Sequence, residues 1–252
     1  AGRRGVQIFM VNGRLSEKSL KRYSLIKKTM RRVFYYVKLA MMQGAEDAER
    51  LMRLGIRGNK IKITGNLKFD QNPLETDHHL TAFFAERFGL TNETPLIAAA
   101  STHAPEEKWI LEAFKLVYKS APGNLPRLLI APRHPERFGE VAELVEQTGF
   151  SWVKRTSALS FDDEIADVIL LDSIGELRAV YPLAEIVFVG GSLIPRGGQS
   201  VLEPAAAGKA IVTGFYTTNF AAIVAEFREK DALVQLPELA ERDVSAKLAE
   251  VL

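Results

Sequence analysis

Apolar residues along this chain fall into two patterns. Short β-branched or aliphatic runs alternate with longer stretches in which apolar positions recur every three or four residues. Residues 6–11 predict a buried strand. Ser16 is placed to cap a helix over 16–34, where Leu20, Tyr23, Ile26, Met30 and Val33 form one face and Lys and Arg fill the other. Residues 37–42 predict a second strand, 46–54 a helix stopped by Gly55, and 60–64 a third strand. The polar, Pro-bearing stretch NLKFDQNPLETDHH marks a linker, set at residues 73–90 between a domain over 1–72 and another over 91–252. Beyond it, strands are predicted at 96–100, 127–131, 151–155, 168–171, 186–189 and 210–213. Helices are predicted at 106–119, 136–148, 175–183 and 202–207, and over most of the chain from 219 onward. This alternation makes the chain α/β, with a parallel sheet covered on both faces in a Rossmann-like domain. The first domain shows the same alternation with two or three strands, too few for a complete sheet of about five or six. The expectation is therefore that the chain begins partway through it.

Composition adds exclusions. The chain has 252 residues, 47% hydrophobic and 25% charged, in the ordinary globular range. Without Cys there is no disulfide framework and no Cys-based metal or redox site. No apolar run approaches the ~20 residues of a membrane span, and the opening AGRRGVQIF lacks the apolar core of a signal peptide. The near-neutral charge hides an asymmetry. Residues 1–72 hold 17 Lys and Arg against 5 Asp and Glu, whereas residues 73–252 hold 16 against 26. The basic part suits nucleic acid, anionic lipid or a phosphorylated glycolipid, or else the two parts are simply solvated surfaces of opposite sign.

In an open parallel sheet, ligands bind beyond the carboxyl ends of the strands. There the predicted strands are followed by Ser101-Thr102-His103, by Pro132-Arg133-His134-Pro135, by Asp172-Ser173-Ile174-Gly175-Glu176, by GGSLIPRGGQS and by GFYTTNF. GGSLIPRGGQSVLEP is the most distinctive. Its glycines permit close backbone approach to an anion, and Glu203 could accept hydrogen bonds from a ribose diol. Turn glycines and an acid favoured by a helix dipole would look the same. Arg133 suits a phosphate and a departing negative charge, or a surface ion pair. Gly175 offers approach to a flat base, or only a turn. Arg14, after the first strand, could hold an anionic group or stand exposed. His78, His79, His103 and His134 lack metal-ligand spacing, Asp162-Asp163-Glu164 reads as a solvated acidic loop, and there is no GxGxxG, Walker or nucleophile-elbow sequence.

Taken in order, VNGRLSEKS, TGNLKFD, ASTH, APRHPERF, IGEL, FVGGSLIPRGGQSVLEPAA and TNFAAI resemble the bacterial Kdo transferases. These lipid A-specific glycosyltransferases add 3-deoxy-D-manno-octulosonic acid (Kdo) to the lipid A precursor. The resemblance runs from Val11 to at least Ile223. It implies a GT-B fold of two Rossmann-like domains, here a complete C-terminal domain and the C-terminal part of the N-terminal one. It implies CMP-Kdo as donor and a phosphorylated lipid A precursor as acceptor, in lipopolysaccharide core biosynthesis at the cytoplasmic face of the inner membrane. No cofactor or metal is implied. By the same resemblance Arg133 contacts the CMP phosphate and takes up leaving-group charge. Pro132, Ile174, Gly175 and Glu176 line the cytidine and phosphate pocket, Glu203 holds the ribose, and Thr102, Gly191 and Asn219 lie near the donor. Ser200 stands where the family usually has Asn and reaches less far. Arg14 and Ser16 fall to the acceptor. The family's general base, a Glu in a Gly-Glu motif, and its hydrophobic anchor lie upstream of VNGRLS, so the expectation is a fragment that binds nucleotide and transfers slowly or not at all. Two other readings stand beside it. One is a different GT-B transferase or epimerase using a UDP-sugar. The other is a nucleic-acid-binding module on the basic stretch 14–38, which carries no recognised nucleic-acid motif. A phosphorylated lipid at an anionic bilayer surface accounts for the same charge, so no nucleic-acid partner is expected.

Overall fold

A computed structural model of the chain describes residues 6–65, 67, 77–91, 93–120 and 125–252. The chain divides into two compact units, Ala1–Asn72 and Pro73–Leu252. In the first, β1 (Ile8–Gly13), α1 (Glu17–Ser24), α2 (Lys27–Tyr35), β2 (Val37–Met42), α3 (Ala45–Arg53) and β3 (Ile61–Ile63) follow in order. The strands form a parallel sheet, β1-β2-β3. Leu20, Phe34, Ala40, Met42, Leu51 and Leu54 make its core.

Two expectations change here. The strand predicted at 6–11 is not buried throughout, because Phe9 and Val11 alternate with the inward residues and are exposed. The helix predicted over 16–34 is two helices. α1 ends with Leu25 and Ile26 donating to carbonyls three residues back, and α2 restarts from the Ile26 carbonyl. Lys18/Arg22, Lys27/Arg31 and Lys28/Arg32 are like charges four residues apart, which disfavours one continuous helix. Leu25, at the break, is 87% exposed.

The second unit holds α4 (His78–Arg87), β4 (Leu96–Thr102), α5 (Glu106–Ser120), β5 (Arg127–Pro132), α6 (Phe138–Glu146), β6 (Trp152–Lys154), β7 (Val168–Leu170), α7 (Leu177–Val180), β8 (Ile186–Val189), α8 (Leu202–Ala206), β9 (Ala210–Thr213), α9 (Ala221–Glu229), β10 (Val234–Gln235) and α10 (Glu241–Ala249). All pairings are parallel, in the order β10-β9-β8-β4-β5-β7-β6. Successive strand residues serve opposite faces. Leu96, Ala98 and Ala100 join one cluster with Leu129 and Ala131, whereas Ile97 and Ala99 join the other with Leu128 and Ile130. Helices cover both faces, which is why these strands read as unbroken apolar runs.

The linker expected at 73–90 is a helix from residue 78; residues 73–76 lie outside the described residues. Asp77 caps α4 by accepting the Leu80 N–H at 3.0 Å. Leu80, Phe83, Phe84 and Phe88 lie at helical spacing, and Phe84 and Phe88 are fully buried in the core. Arg87 at the end of α4 pairs with Asp163 at 2.9 Å, both nearly inaccessible, and donates to the carbonyls of Arg155 and Ser157. Asp163 therefore belongs to the core rather than to a solvated acidic loop, and its carboxylate also closes a capping box with Ser160. The region from 219 onward includes a two-residue strand, β10, besides its helices.

Because α4 is part of the second unit's core, Phe84→Ala should cost about 3–5 kcal/mol in urea unfolding. Leu25→Ser, on an exposed position, should cost no more than about 0.5 kcal/mol.

Candidate functional site

The second sheet reverses its order at β4. The chain proceeds from β4 through β5 to β7 and β6 on one side, then returns to β8 and β9 on the other. The loops leaving β4 and β8 therefore diverge at the carboxyl edge, the usual place for a ligand in such a sheet. The segments singled out in the sequence leave β9, β8, β4, β5 and β7, five neighbouring strands, so the topology gathers them along one edge.

What fixes the two central loops is Glu106, in the first turn of α5. Its carboxylate is fully buried and accepts four backbone N–H groups. Oε2 takes His103 at 3.0 Å and Gly191 at 2.7 Å, while Oε1 takes Ser192 at 3.0 Å and Leu193 at 2.9 Å. A carboxylate has about four lone-pair positions, and each is met by a donor. The geometry is that of the ionised group. Burial raises the Glu106 pKa above its ordinary value, and the four N–H groups oppose that shift. The β4 exit supplies complementary backbone. Ser101 adopts φ +55 at a break in register between Ala100 and Thr102. Gly190 packs so close to Ser101 and Thr102 that a Cβ there would lie 2.6 Å from the Ser101 carbonyl oxygen. Ser192, also buried, donates to the Val189 carbonyl at 2.5 Å and accepts the Gly214 N–H at 2.8 Å, tying the β8 exit to the β9 exit.

Several predicted site residues take supporting roles. Thr102 is fully buried beneath the edge. Its carbonyl accepts the Arg133 N–H at 2.9 Å. Pro132 is buried too. The Gly191 N–H points inward to Glu106, not outward to an anion. Asn219 holds the Gly-rich loop, donating to the carbonyls of Arg196 at 3.1 Å and Gly198 at 3.5 Å. Ser200 Oγ accepts the Leu202 N–H at 3.4 Å at the start of α8. Ile174 and Gly175 are exposed, with Gly175 at φ +85. Glu176 pairs with Arg155 at 2.9 Å and accepts from Ser173. Glu203 pairs with Arg178 at 3.0 Å and stays partly exposed. In the first unit, Arg14 is exposed on a turn whose neighbours are tied down. Leu15 N–H donates to Asp47 at 2.8 Å, and Leu67 N–H to Asn12 at 3.1 Å. Ser16 caps α1, accepting the Ser19 N–H.

The sequence reading did not single out Glu106, Glu107, Arg137, Ser192 or Arg196. Glu107 is buried and pairs with Arg137 at 2.6 Å; Arg137 also pairs with Glu140 at 2.9 Å. Burial works against the Arg137 charge, but its hydrogen bonds to Glu140 and Glu107 prevail and raise its pKa. His103 and His134 pack edge to face at 5.1 Å. The Gln199 amide nitrogen lies 3.4 Å from His103 Nε2. Burial, then the charges of His134 and Arg196, hold the His103 pKa below its ordinary value.

The second unit has nine arginines. Arg87, Arg137, Arg155, Arg178 and Arg242 are ion-paired, Arg127 is bound to main-chain carbonyls, and Arg228 meets Gln235. Only Arg133 and Arg196 offer guanidinium groups that engage no other described residue. Among the described residues no group of three or more His, Asp or Glu is arranged to hold a metal ion. A cavity of about 440 Å3 lined by Phe83, Arg87, Leu159 and Phe161 adjoins segments that lead into β4 and β7.

Residues 1–71 match the family model described as 3-deoxy-D-manno-octulosonic-acid transferase (kdotransferase). The 3-deoxy-D-manno-octulosonic acid transferase of Haemophilus influenzae is 36% identical over 97% of this chain and 57% of its own length. The crystal structure of the C-terminal CMP-Kdo binding domain of WaaA from Acinetobacter baumannii is 33% identical, with a TM-score of 0.57, over 69% of this chain and 89% of that one. The chain belongs to the Kdo transferase family. It spans about half the length of the curated relatives it matches. The UDP-GlcNAc 2-epimerase of Methanocaldococcus jannaschii, 15% identical with a TM-score of 0.62 over 99% of this chain and 64% of that one, shares the fold. The fold is the α/β GT-B type that the family resemblance implies. In this family member, then, much of the Gly-rich loop's first turn is occupied by an internal carboxylate.

Glu106→Gln keeps the shape but turns an amide NH2 toward two N–H donors. It should cost about 2–4 kcal/mol in urea unfolding, and a loss below about 1 kcal/mol would mean that the loop stands without the carboxylate. A second measurement concerns His103. Its NMR titration midpoint should fall below about 6.5. The unfolded chain then takes the proton first, so this residue's contribution to stability is intact above about pH 6.5 and is lost as pH falls through the folded-state pKa.

Proposed function

We propose that this chain carries the donor-binding part of an enzyme that transfers Kdo from CMP-Kdo to the phosphorylated lipid A precursor in lipopolysaccharide core biosynthesis. The observation that carries the reading is Arg133, a guanidinium that engages no other described residue, leaving β5 at the edge where the sheet reverses, in a chain 33% identical to the CMP-Kdo binding domain of WaaA. In the proposed reaction the acceptor hydroxyl oxygen attacks the anomeric carbon. The bond from that carbon to the phosphate oxygen breaks, and CMP leaves with the electron pair. Arg133 stabilises the charge that grows on the departing phosphate. The hydroxyl proton passes to the carboxylate that the family resemblance places ahead of VNGRLS. The chemistry uses no metal ion and no cofactor.

Around the phosphate, Gly175 and Ile174 give a flat approach for cytosine, and Glu203 offers a carboxylate to the ribose hydroxyls. Arg14 on its pinned turn is assigned to the acceptor's phosphate. The enzyme would act at the cytoplasmic face of the bacterial inner membrane. Supporting this are the excess of 17 Lys and Arg over 5 Asp and Glu in residues 1–72 and the exposed Tyr23, Leu25, Ile26 and Tyr35 on α1, α2 and the break between them. Among the described residues no helix is long and apolar enough to cross a membrane.

Calorimetry with CMP and UDP tests the reading. CMP should bind at least about tenfold more tightly than UDP, and Arg133→Ala should lose about tenfold or more in CMP affinity, the scale of one charge-assisted contact. Undiminished CMP binding by both Arg133→Ala and Glu203→Ala, or a preference for UDP, would remove the assignment.

A further inference from the structure

Arg133 accounts for one of the second unit's two guanidinium groups that engage no other described residue. The other, Arg196, sits in the loop between β8 and α8, and its backbone is held from both sides. Its N–H donates to the Ile194 carbonyl at 2.7 Å, and its own carbonyl accepts from Asn219 Nδ2 at 3.1 Å. The next two residues, Gly197 and Gly198, are buried with φ +89 and +74, and the Asn219 amide fills the space a Gly197 side chain would need. An unpaired arginine on a mobile surface loop would carry little meaning. Here the side chain is exposed and unpaired while the backbone beneath it is fixed, so little order remains to be imposed when an anion arrives.

Among the described residues, the acids of this edge are already engaged. Glu106 is saturated by backbone, Glu107 is held by Arg137, Glu176 by Arg155, Glu203 by Arg178, and Glu136 lies 3.7 Å from His134. The loop that carries Arg196 packs on the β4 exit: Gly191 lies against the His103 ring, Gly198 N–H donates to the Gly191 carbonyl at 2.8 Å, and the Gln199 amide nitrogen lies 3.4 Å from His103 Nε2. β8 and β5 flank β4, so the loops bearing Arg196 and Arg133 start about 10 Å apart, twice the strand spacing. Two extended arginine side chains can converge across that gap.

The donor proposed above carries two separate anions. One is the phosphodiester; the other is the carboxylate of the ulosonic acid, attached to the same anomeric carbon that bears the phosphate. We infer that Arg196 binds the carboxylate of the donor sugar while Arg133 binds the phosphate, so that Arg196 selects a CMP-linked sugar acid over CMP or a neutral nucleotide sugar. This assignment rests on the CMP-Kdo reading. A guanidinium meets a carboxylate with two parallel N–H donors, which also orients the anomeric carbon relative to the leaving phosphate.

Equilibrium binding of CMP and of freshly prepared CMP-Kdo to the whole chain tests it, using wild type, Arg133→Ala, Arg196→Ala and Arg196→Lys. Wild type should prefer CMP-Kdo over CMP by about tenfold or more. Arg196→Ala should leave CMP affinity within about twofold and abolish the preference, Arg196→Lys should keep part of it, and Arg133→Ala should weaken both ligands. The assignment fails if Arg196→Ala retains the preference, if it weakens both ligands equally, or if wild type binds CMP with no gain for CMP-Kdo. Wild type binding neither ligand would instead overturn the donor reading, and this assignment with it.

Discussion

The carboxylate of Glu106 is the constraint on which the rest of the site depends. A buried charge of this kind costs several kcal/mol unless it is compensated. Here the compensation is four backbone N–H groups drawn from the exits of β4 and β8, with no cation involved. Two consequences follow from that choice. The loops that diverge at the switch point are pinned to one atom group, so the Gly-rich segment has a fixed starting direction. And because no arginine is consumed in neutralising Glu106, Arg133 and Arg196 remain for charges that come from outside. A Glu106–Arg pair would have given a similar anchor and a poorer anion site.

Most of the second unit was legible because its strands are buried on both faces. Continuous apolar runs such as LIAAA and LLIA have no other simple explanation when helical stretches separate them. The gathering of the chemistry at one edge was legible for the same reason, since a parallel α/β sheet puts every strand exit on one side. α4 was obscured by the polar, Pro-bearing stretch ahead of it, although Leu80, Phe83, Phe84 and Phe88 carry the helical period. β10, with two residues, is below the length at which alternation can be seen. The break between α1 and α2 follows from like-charge crowding, a property of pairs that a count of apolar positions ignores.

The site's inner construction was not legible, and the reason is long-range pairing. Glu106 looks like an ordinary acid in a helix's first turn; its meaning depends on Gly191, Ser192 and Leu193, more than eighty residues later. Gly191 looks like an outward anion contact for the same reason, and only the direction of its N–H shows that the anion it meets is internal. Thr102 and Asn219, which the resemblance puts near the donor, stand at the carboxyl edge in two different layers. One lies beneath the surface and the other braces the loop. Position along a strand predicts proximity to the site; which atoms face the ligand depends on hydrogen bonds that residue type alone does not specify.

The charge of the second unit presents an apparent contradiction, since residues 73–252 hold 16 basic and 26 acidic groups yet are read as binding a dianionic donor. Screening resolves it. At physiological ionic strength charges farther apart than about 8 Å are largely hidden from one another, so the excess on distant helices matters less than the local account at the sheet edge. At that edge the carboxylates are engaged, Glu107 by Arg137, Glu176 by Arg155 and Glu203 by Arg178, and two guanidinium groups are left over. An acidic domain can thus present a cationic site, because each acid at the site has been matched to a donor of its own.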